Sequence, residues 1–223
     1  MAVRPGSMKL SCMVDVGRVT AKEIPPKKES PIDAIRIATY AHQMEQAIEL
    51  LDHCLEMGYE TFMNVMAVST LSPEKVDAFL FRLAQSGVEN VAIVDSYGAL
   101  YPYHIRYLIR KYGSILGQGI RLGVHCHNNQ QQAFANSIAA IEEGIDFVDA
   151  TIYGMGRGAG NCPLELLLMY MDQPRYDVAK ILGLIEEFDT IRDELRWGYQ
   201  VPYVISGYHN IHPSAAIDHM GSS

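Results

Sequence analysis

Apolar positions fall into two alternating kinds of run along the chain. Short runs occupy Leu10 to Val14, Ala34 to Ala38, Thr61 to Met66, Asn90 to Val94, Arg121 to Val124 and Asp146 to Ala150. Turn residues bound them, and short apolar runs of this kind predict buried strands. Between them lie segments with helical spacing: Met44 to Met57, a segment from Ser72 to about Ser86, Pro102 to Tyr112, and Gln131 to Glu143. Gly58 and Gly87 stop the first two. Ser72-Pro73-Glu74-Lys75 starts the second with an N-cap serine, a proline at the first helical position and an acid in the first turn. Val19 to Ser30 is a charged, proline-bearing loop, so helices separate the six strands in every interval but the first.

Strand and helix in regular alternation predict an α/β fold with a parallel sheet, and functional side chains of such sheets gather at the carboxyl ends of the strands. Asp15, Asn64, Asp95, His125, His127 and Asp149 all fall at or near such ends. A doubly wound sheet and a (β/α) barrel share this property, and alternation does not choose between them. Strand side chains alternate faces, so His125 and His127 point to one side and Cys126 to the other. Two like-facing imidazoles are half of a divalent-metal site; the plainer alternative is two polar residues leaving a strand.

The four cysteines, Cys12, Cys54, Cys126 and Cys162, are scattered without a C-x-x-C pair, a pattern that suits a reducing cytoplasm and structural thiols. A formal charge of −8 over 223 residues, with no basic cluster, argues against nucleic acid or an anionic membrane as partner. No apolar run is long enough for a membrane span. The length suits one domain. Residues 1 to 8 read as a leader or cloning scar, and 9 to 223 as the domain.

The stretch from Gly123 to Glu165 adds a composite motif. It contains His125-Cys126-His127-Asn128-Asn129, then Ala135-Asn136-Ser137 on the following helix, then the glycine loop Gly154-Met155-Gly156-Arg157-Gly158-Ala159-Gly160-Asn161. This resembles the metal-dependent lyase and aldolase superfamily that includes 3-hydroxy-3-methylglutaryl-CoA lyase, isopropylmalate synthase and 4-hydroxy-2-oxovalerate aldolase. Its members carry His-x-His-Asn-Asn or His-x-His-Asn-Asp, Ala-Asn-Ser and a Gly-Asn loop. Phe62-Met63-Asn64, Asp95-Ser96-Tyr97-Gly98 and Gly198-Tyr199-Gln200-Val201-Pro202-Tyr203 are most similar to the 4-hydroxy-2-oxovalerate type.

The resemblance implies a TIM (β/α)8 barrel, with about six of its eight strands in this chain. The family's first-strand motif, Asp-x-Thr-Leu-Arg-Asp-Gly, is absent, which makes an N-terminally incomplete barrel the expectation. The implied activity is divalent-metal-dependent aldol cleavage of a 4-hydroxy-2-oxo acid to pyruvate and an aldehyde. A Claisen-type acyltransferase and a non-catalytic truncated barrel are the alternatives. His125, His127 and Asn161 are the implied metal ligands, for Mn²⁺, Mg²⁺, Co²⁺ or Zn²⁺. Asp95 and Ser96 fall where substrate contacts lie, and Tyr199 or Tyr203 where a catalytic tyrosine lies. Each has a plainer alternative: turn capping for Asp95, core packing for the tyrosines. The implied partners are a small 2-oxo acid and an aldehyde dehydrogenase that takes the product in some relatives; separately, the two unpaired edges of a six-stranded sheet predict that the chain is part of a longer protein or closes its sheet through another copy. Arg157 reads as a lone loop cation facing a carboxylate or solvent, and His209 and His212 as surface residues.

Overall fold

A computed structural model describes residues 8–172 and 176–221. The leader reading of residues 1 to 8 therefore lies, apart from Met8, outside the described residues. Six strands form one sheet in chain order: β1 (Ser11–Asp15), β2 (Ala34–Thr39), β3 (Glu60–Val65), β4 (Asn90–Asp95), β5 (Arg121–Cys126) and β6 (Phe147–Val148). Pairing is parallel where β1 meets β2, β2 meets β3 and β5 meets β6, with Val14 opposite Ile37, Ile37 opposite Met63 and Gly123 opposite Phe147. Helices α1 (Met44–Glu56), α2 (Pro73–Ala84), α3 (Pro102–Leu116) and α4 (Ala133–Glu142) follow β2, β3, β4 and β5. The loop between β1 and β2 has only two short 3-10 turns, Ala21–Glu23 and Lys27–Glu29. After β6 come α5 (Leu164–Met171), α6 (Val178–Leu195), α7 (Val201–Tyr208) and α8 (Ser214–Gly221).

The described chain divides into two compact units. The first holds residues 8–66, 72–92 and 112–122; the second holds 67–71, 93–111 and 123–221. In the first, apolar residues at alternate strand positions and at helical spacing meet in a dry core of Ile37, Leu51, Met63, Leu80, Leu83 and Val91. Burying each such side chain fully contributes about 1.5–3 kcal/mol. The Ser72 hydroxyl caps α2 by accepting from the Lys75 N–H at 3.5 Å, with Pro73 at the first helical position. On the rim of this unit, Glu60 is held by Lys9 at 2.5 Å and by Arg121.

In the second unit, Ile93, Val94, Val124 and Cys126 are buried and Gly123 makes the key close approach. A Cβ built on Gly123 would lie 1.9 Å from the Phe147 ring, so this ring fills the space a side chain would take. The buried Asn136 Nδ2 donates to the Leu100 carbonyl at 2.8 Å and ties α4 to the segment after β4. Arg106 and Arg110 on α3 pair with Glu142 and Glu143 at the end of α4, the closest contacts at 2.6 and 2.7 Å. The carboxyl ends of β4, β5 and β6 thus carry Asp95, the two histidines and Asp149 within one unit.

Candidate functional site

Two-residue alternation on β5 puts His125 and His127 on one face, and their rings sit 5.1 Å apart, centre to centre, at 72°. The end of β6 orients the first of them. Asp149 donates its N–H to the Val124 carbonyl at 3.0 Å, and its Oδ2 lies 3.0 Å from His125 Nδ1. A carboxylate on Nδ1 fixes the tautomer and leaves Nε2 as the ligating nitrogen, the arrangement found behind metal-bound histidines. His127 donates its backbone N–H to the Asp95 carbonyl at 3.3 Å. Burial, then His125, then Arg157 push its imidazole down to about 3, so it is a neutral donor at physiological pH.

The glycine loop brings the third group. His127 and Asn161 form an antiparallel bridge, which sets their side chains directly across from one another. The Asn128 N–H to the Gly160 carbonyl, 2.9 Å, closes it. Asn161 Nδ2 donates to the Met155 carbonyl at 3.0 Å, while its Oδ1 is buried with no hydrogen-bond partner among the described residues. Buried amide oxygens are ordinarily satisfied, so this one calls for an electrophile. The loop has no slack here: a Cβ on Gly156 would fall 2.4 Å from Asn161 Nδ2, and one on Gly160 would fall 2.2 Å from the Gly154 carbonyl. Two like-facing imidazoles and an orphaned amide oxygen fit a divalent cation. Among the described residues no three His, Cys, Asp or Glu side chains converge to hold a metal ion, so the candidate set depends on the Asn161 amide oxygen for its third donor.

The other predicted residues are placed differently from one another. Asp95 is fully buried, and its carboxylate accepts from the Ala99 and Leu100 N–H groups at 3.0 and 3.1 Å, which is the turn-capping arrangement. Burial is the first cause that raises it to about 6, against these hydrogen bonds. The Ser96 hydroxyl accepts from the Ala67 N–H at 2.8 Å. Tyr203 is buried, with its ring edge against Gly158, where a Cβ would be 3.4 Å away. Tyr199 is 64% exposed and makes no hydrogen bond or ring contact among the described residues. Cys126 and Cys162 are buried, and burial raises both thiols, which supports the structural reading of them.

Arg157 is exposed, in keeping with the solvent-facing expectation, and in addition donates Nη2 to the Ser96 carbonyl at 2.8 Å and places Nη1 2.8 Å from His212 Nε2. His212 is exposed as expected but also meets the Tyr97 ring edge-on at 5.8 Å. Neither contact is written in local sequence, since both join residues more than fifty positions apart. Tyr153, just before the loop, has a left-handed backbone with φ of 57°. Glu165 accepts its N–H, Trp197 Nε1 donates to its carbonyl and Arg192 donates to its hydroxyl, at 3.0, 3.0 and 2.6 Å. These residues and Asn161 line a cavity of 190 Å³.

Comparison with known proteins agrees with this architecture. The profile of the HMGL-like family matches residues 32–187. The 4-hydroxy-2-oxovalerate aldolase of Thermomicrobium roseum is 34% identical over 182 residues, 80% of this chain and 51% of that protein. Its namesake from Geobacillus thermodenitrificans is 30% identical over 208 residues, 87% of this chain and 60% of that protein. The chain thus spans about half the length of these relatives. Among solved structures, the N-terminal domain of a Bacteroides vulgatus protein assigned as an aldolase superposes with a TM-score of 0.82 at 30% identity, over 97% of this chain and 74% of that one. A Bacillus subtilis HMG-CoA lyase shares the fold at 15% identity, TM-score 0.70, over 90% of this chain and 75% of that one.

The six-stranded α/β sheet with helices between its strands has the barrel-type fold of these solved structures, and the paired histidines stand at its strand ends. The chain belongs to the HMGL-like family.

Proposed function

We propose that the protein is a divalent-metal-dependent carbon–carbon lyase that cleaves a 4-hydroxy-2-oxo acid to pyruvate and an aldehyde. The observation that carries this reading is the convergence of two imidazoles with the Asn161 amide oxygen, which has no hydrogen-bond partner among the described residues. Relatives named 4-hydroxy-2-oxovalerate aldolase support the substrate class. His125, His127 and Asn161 would hold Mn²⁺, Mg²⁺, Co²⁺ or Zn²⁺, all of which accept nitrogen and oxygen donors. A bound ion supplies Lewis-acid stabilisation of several kcal/mol to the oxygens of the 2-oxo acid.

The chain's own groups do the rest. Cleavage needs a proton removed from the C4 hydroxyl as the C3–C4 bond breaks, and a proton delivered to C3 to complete pyruvate. Asp149 holds His125 in one orientation, so the face on which the oxygens bind is fixed before substrate arrives. Tyr203 lies against the glycine loop, and burial raises its hydroxyl above the ordinary phenol range, which keeps it protonated and suits a hydrogen-bond donor that orients substrate. Tyr199, exposed to solvent, suits that role less.

The test is pyruvate release from 4-hydroxy-2-oxo acids of several chain lengths, with Mn²⁺, for the protein and for His127→Ala. Metal-dependent release that chelator abolishes and the variant lacks is expected. Absence of release across these acids and all four metals would overturn the reading.

A further inference from the structure

Arg157 enters no part of the chemistry above, yet the fold goes to some length to place it. It stands on the loop between Gly154 and Asn161, four residues before the amide that faces His127. Its guanidinium reaches back to the end of β4, where Nη2 binds the Ser96 carbonyl at 2.8 Å. The neighbouring carbonyl, that of Asp95, receives the His127 N–H at 3.3 Å. The guanidinium of Arg157 and the backbone of His127 are therefore anchored to consecutive carbonyls, those of Ser96 and Asp95, at the end of β4.

The second anchor is made to yield. His212 Nε2 lies 2.8 Å from Arg157 Nη1, while the Ser214 N–H points at His212 Nδ1 from 3.1 Å. A neutral imidazole has one lone pair in its ring plane and one N–H. Two donors therefore compete for a single acceptor, and the Arg157 contact is weaker than its length suggests. A planar guanidinium held by a carbonyl and by a contested imidazole is ready to exchange the latter for a carboxylate, which it binds with two parallel hydrogen bonds.

We infer that Arg157 is a substrate-binding residue that receives the carboxylate of the 2-oxo acid beside the paired histidines, and that His212 holds it in place until substrate arrives. This rests on the lyase reading of the site. It names the ligand chemistry more narrowly, as an acid carrying a free carboxylate next to its carbonyl, in preference to an ester, an amide or a plain ketone.

Calorimetric binding of pyruvate and of pyruvamide, which has the same shape without the charge, tests the assignment on the full chain loaded with Mn²⁺. The protein should bind pyruvate at least about tenfold more tightly, the range a charge-assisted bidentate contact supports. Arg157→Gln should lower that ratio several-fold, toward the preference Mn²⁺ alone has for a carboxylate, while Mn²⁺ affinity, measured separately, stays unchanged, and Arg157→Lys should restore part of it. His212→Gln should leave the preference in place, because it removes a resting contact only. A protein without preference for pyruvate, or an Arg157→Gln variant that keeps it in full, would overturn the inference. Arg157-dependent binding without cleavage of any hydroxy-oxo acid would leave the inference standing and sink the lyase reading.

Discussion

At the scale of single residues, Asp149 is the one whose removal separates orientation from ligation. Its Oδ2 lies 3.0 Å from His125 Nδ1. Asp149→Asn should lower Mn²⁺ affinity about 10–100-fold, the cost of losing such a supporting carboxylate, without unfolding the chain. Titration calorimetry with a circular-dichroism control checks it. His127 gives a pH signature. It is held down to about 3, whereas an unfolded histidine titrates near 6.5. Between these values the unfolded chain binds a proton that the native site refuses, so stability is full above about 6.5 and falls as pH falls through that window. Asp95, raised to about 6, works the other way, since the native carboxyl keeps a proton that the unfolded one releases down to 3.8. The profiles must therefore be compared between variants: denaturant midpoints of metal-free protein at about pH 7 and pH 5 should fall further for wild type than for His127→Gln. The facing of the two histidines was legible in the sequence, because alternation on a strand is a local rule. The Asp149 pairing was not, because it depends on the register of β6 against β5. The partners of Arg157 lie 61 and 55 positions away, and no local pattern encodes them.

At the scale of elements, strands and the helices between them follow from periodicity and turn residues, with ends shifted by one or two residues except at α3, which runs to Leu116, four residues past the expected Tyr112. The glycines show what that reading leaves out. In the sequence Gly123 is a blank inside a strand; in the fold it is the space for Phe147, the residue it pairs with on β6. Because β6 has only two residues in the ladder, this packing is much of what fixes its register. Gly123→Ala should cost roughly 1–3 kcal/mol, the usual range for overpacking, and should weaken metal binding as well, since Asp149 moves with β6. A Phe147→Leu second substitution, which shortens the side chain, should recover part of both. Chemical denaturation of the two variants, with Mn²⁺ titration alongside, reads this; a neutral Gly123→Ala would show that β6 is placed by something else. The helices after β6 were not predicted. On α6 no residue is buried, and Leu182, Leu184, Ile191 and Leu195 stay exposed, so its apolar residues do not form the single inward stripe that marks a helix in sequence.

At the scale of the molecule, β1 and β6 are the ends of the strand order, and each has one partner strand. β1 is the more open. Its pattern runs from three exposed residues to Val14, and Met13 is 50% exposed. An edge strand presents a row of unpaired N–H and C=O groups, and natural sheets cover, charge or shorten such edges. The short β6 meets the last condition; β1, with five residues and a neutral sequence up to Asp15, meets neither of the others in its own residues. Edge pairing between copies would also bury Met13, whose contribution at full burial is about 1.5–3 kcal/mol per copy. We therefore expect the chain to self-associate through β1, with a dimer or larger species by light scattering at micromolar concentration. Met13→Lys puts a charge on the edge without touching the β5 and β6 site, so it should shift the population toward monomer while Mn²⁺ affinity holds. A monodisperse monomer in wild type, or an assembly unmoved by Met13→Lys, would place the covering of this edge elsewhere.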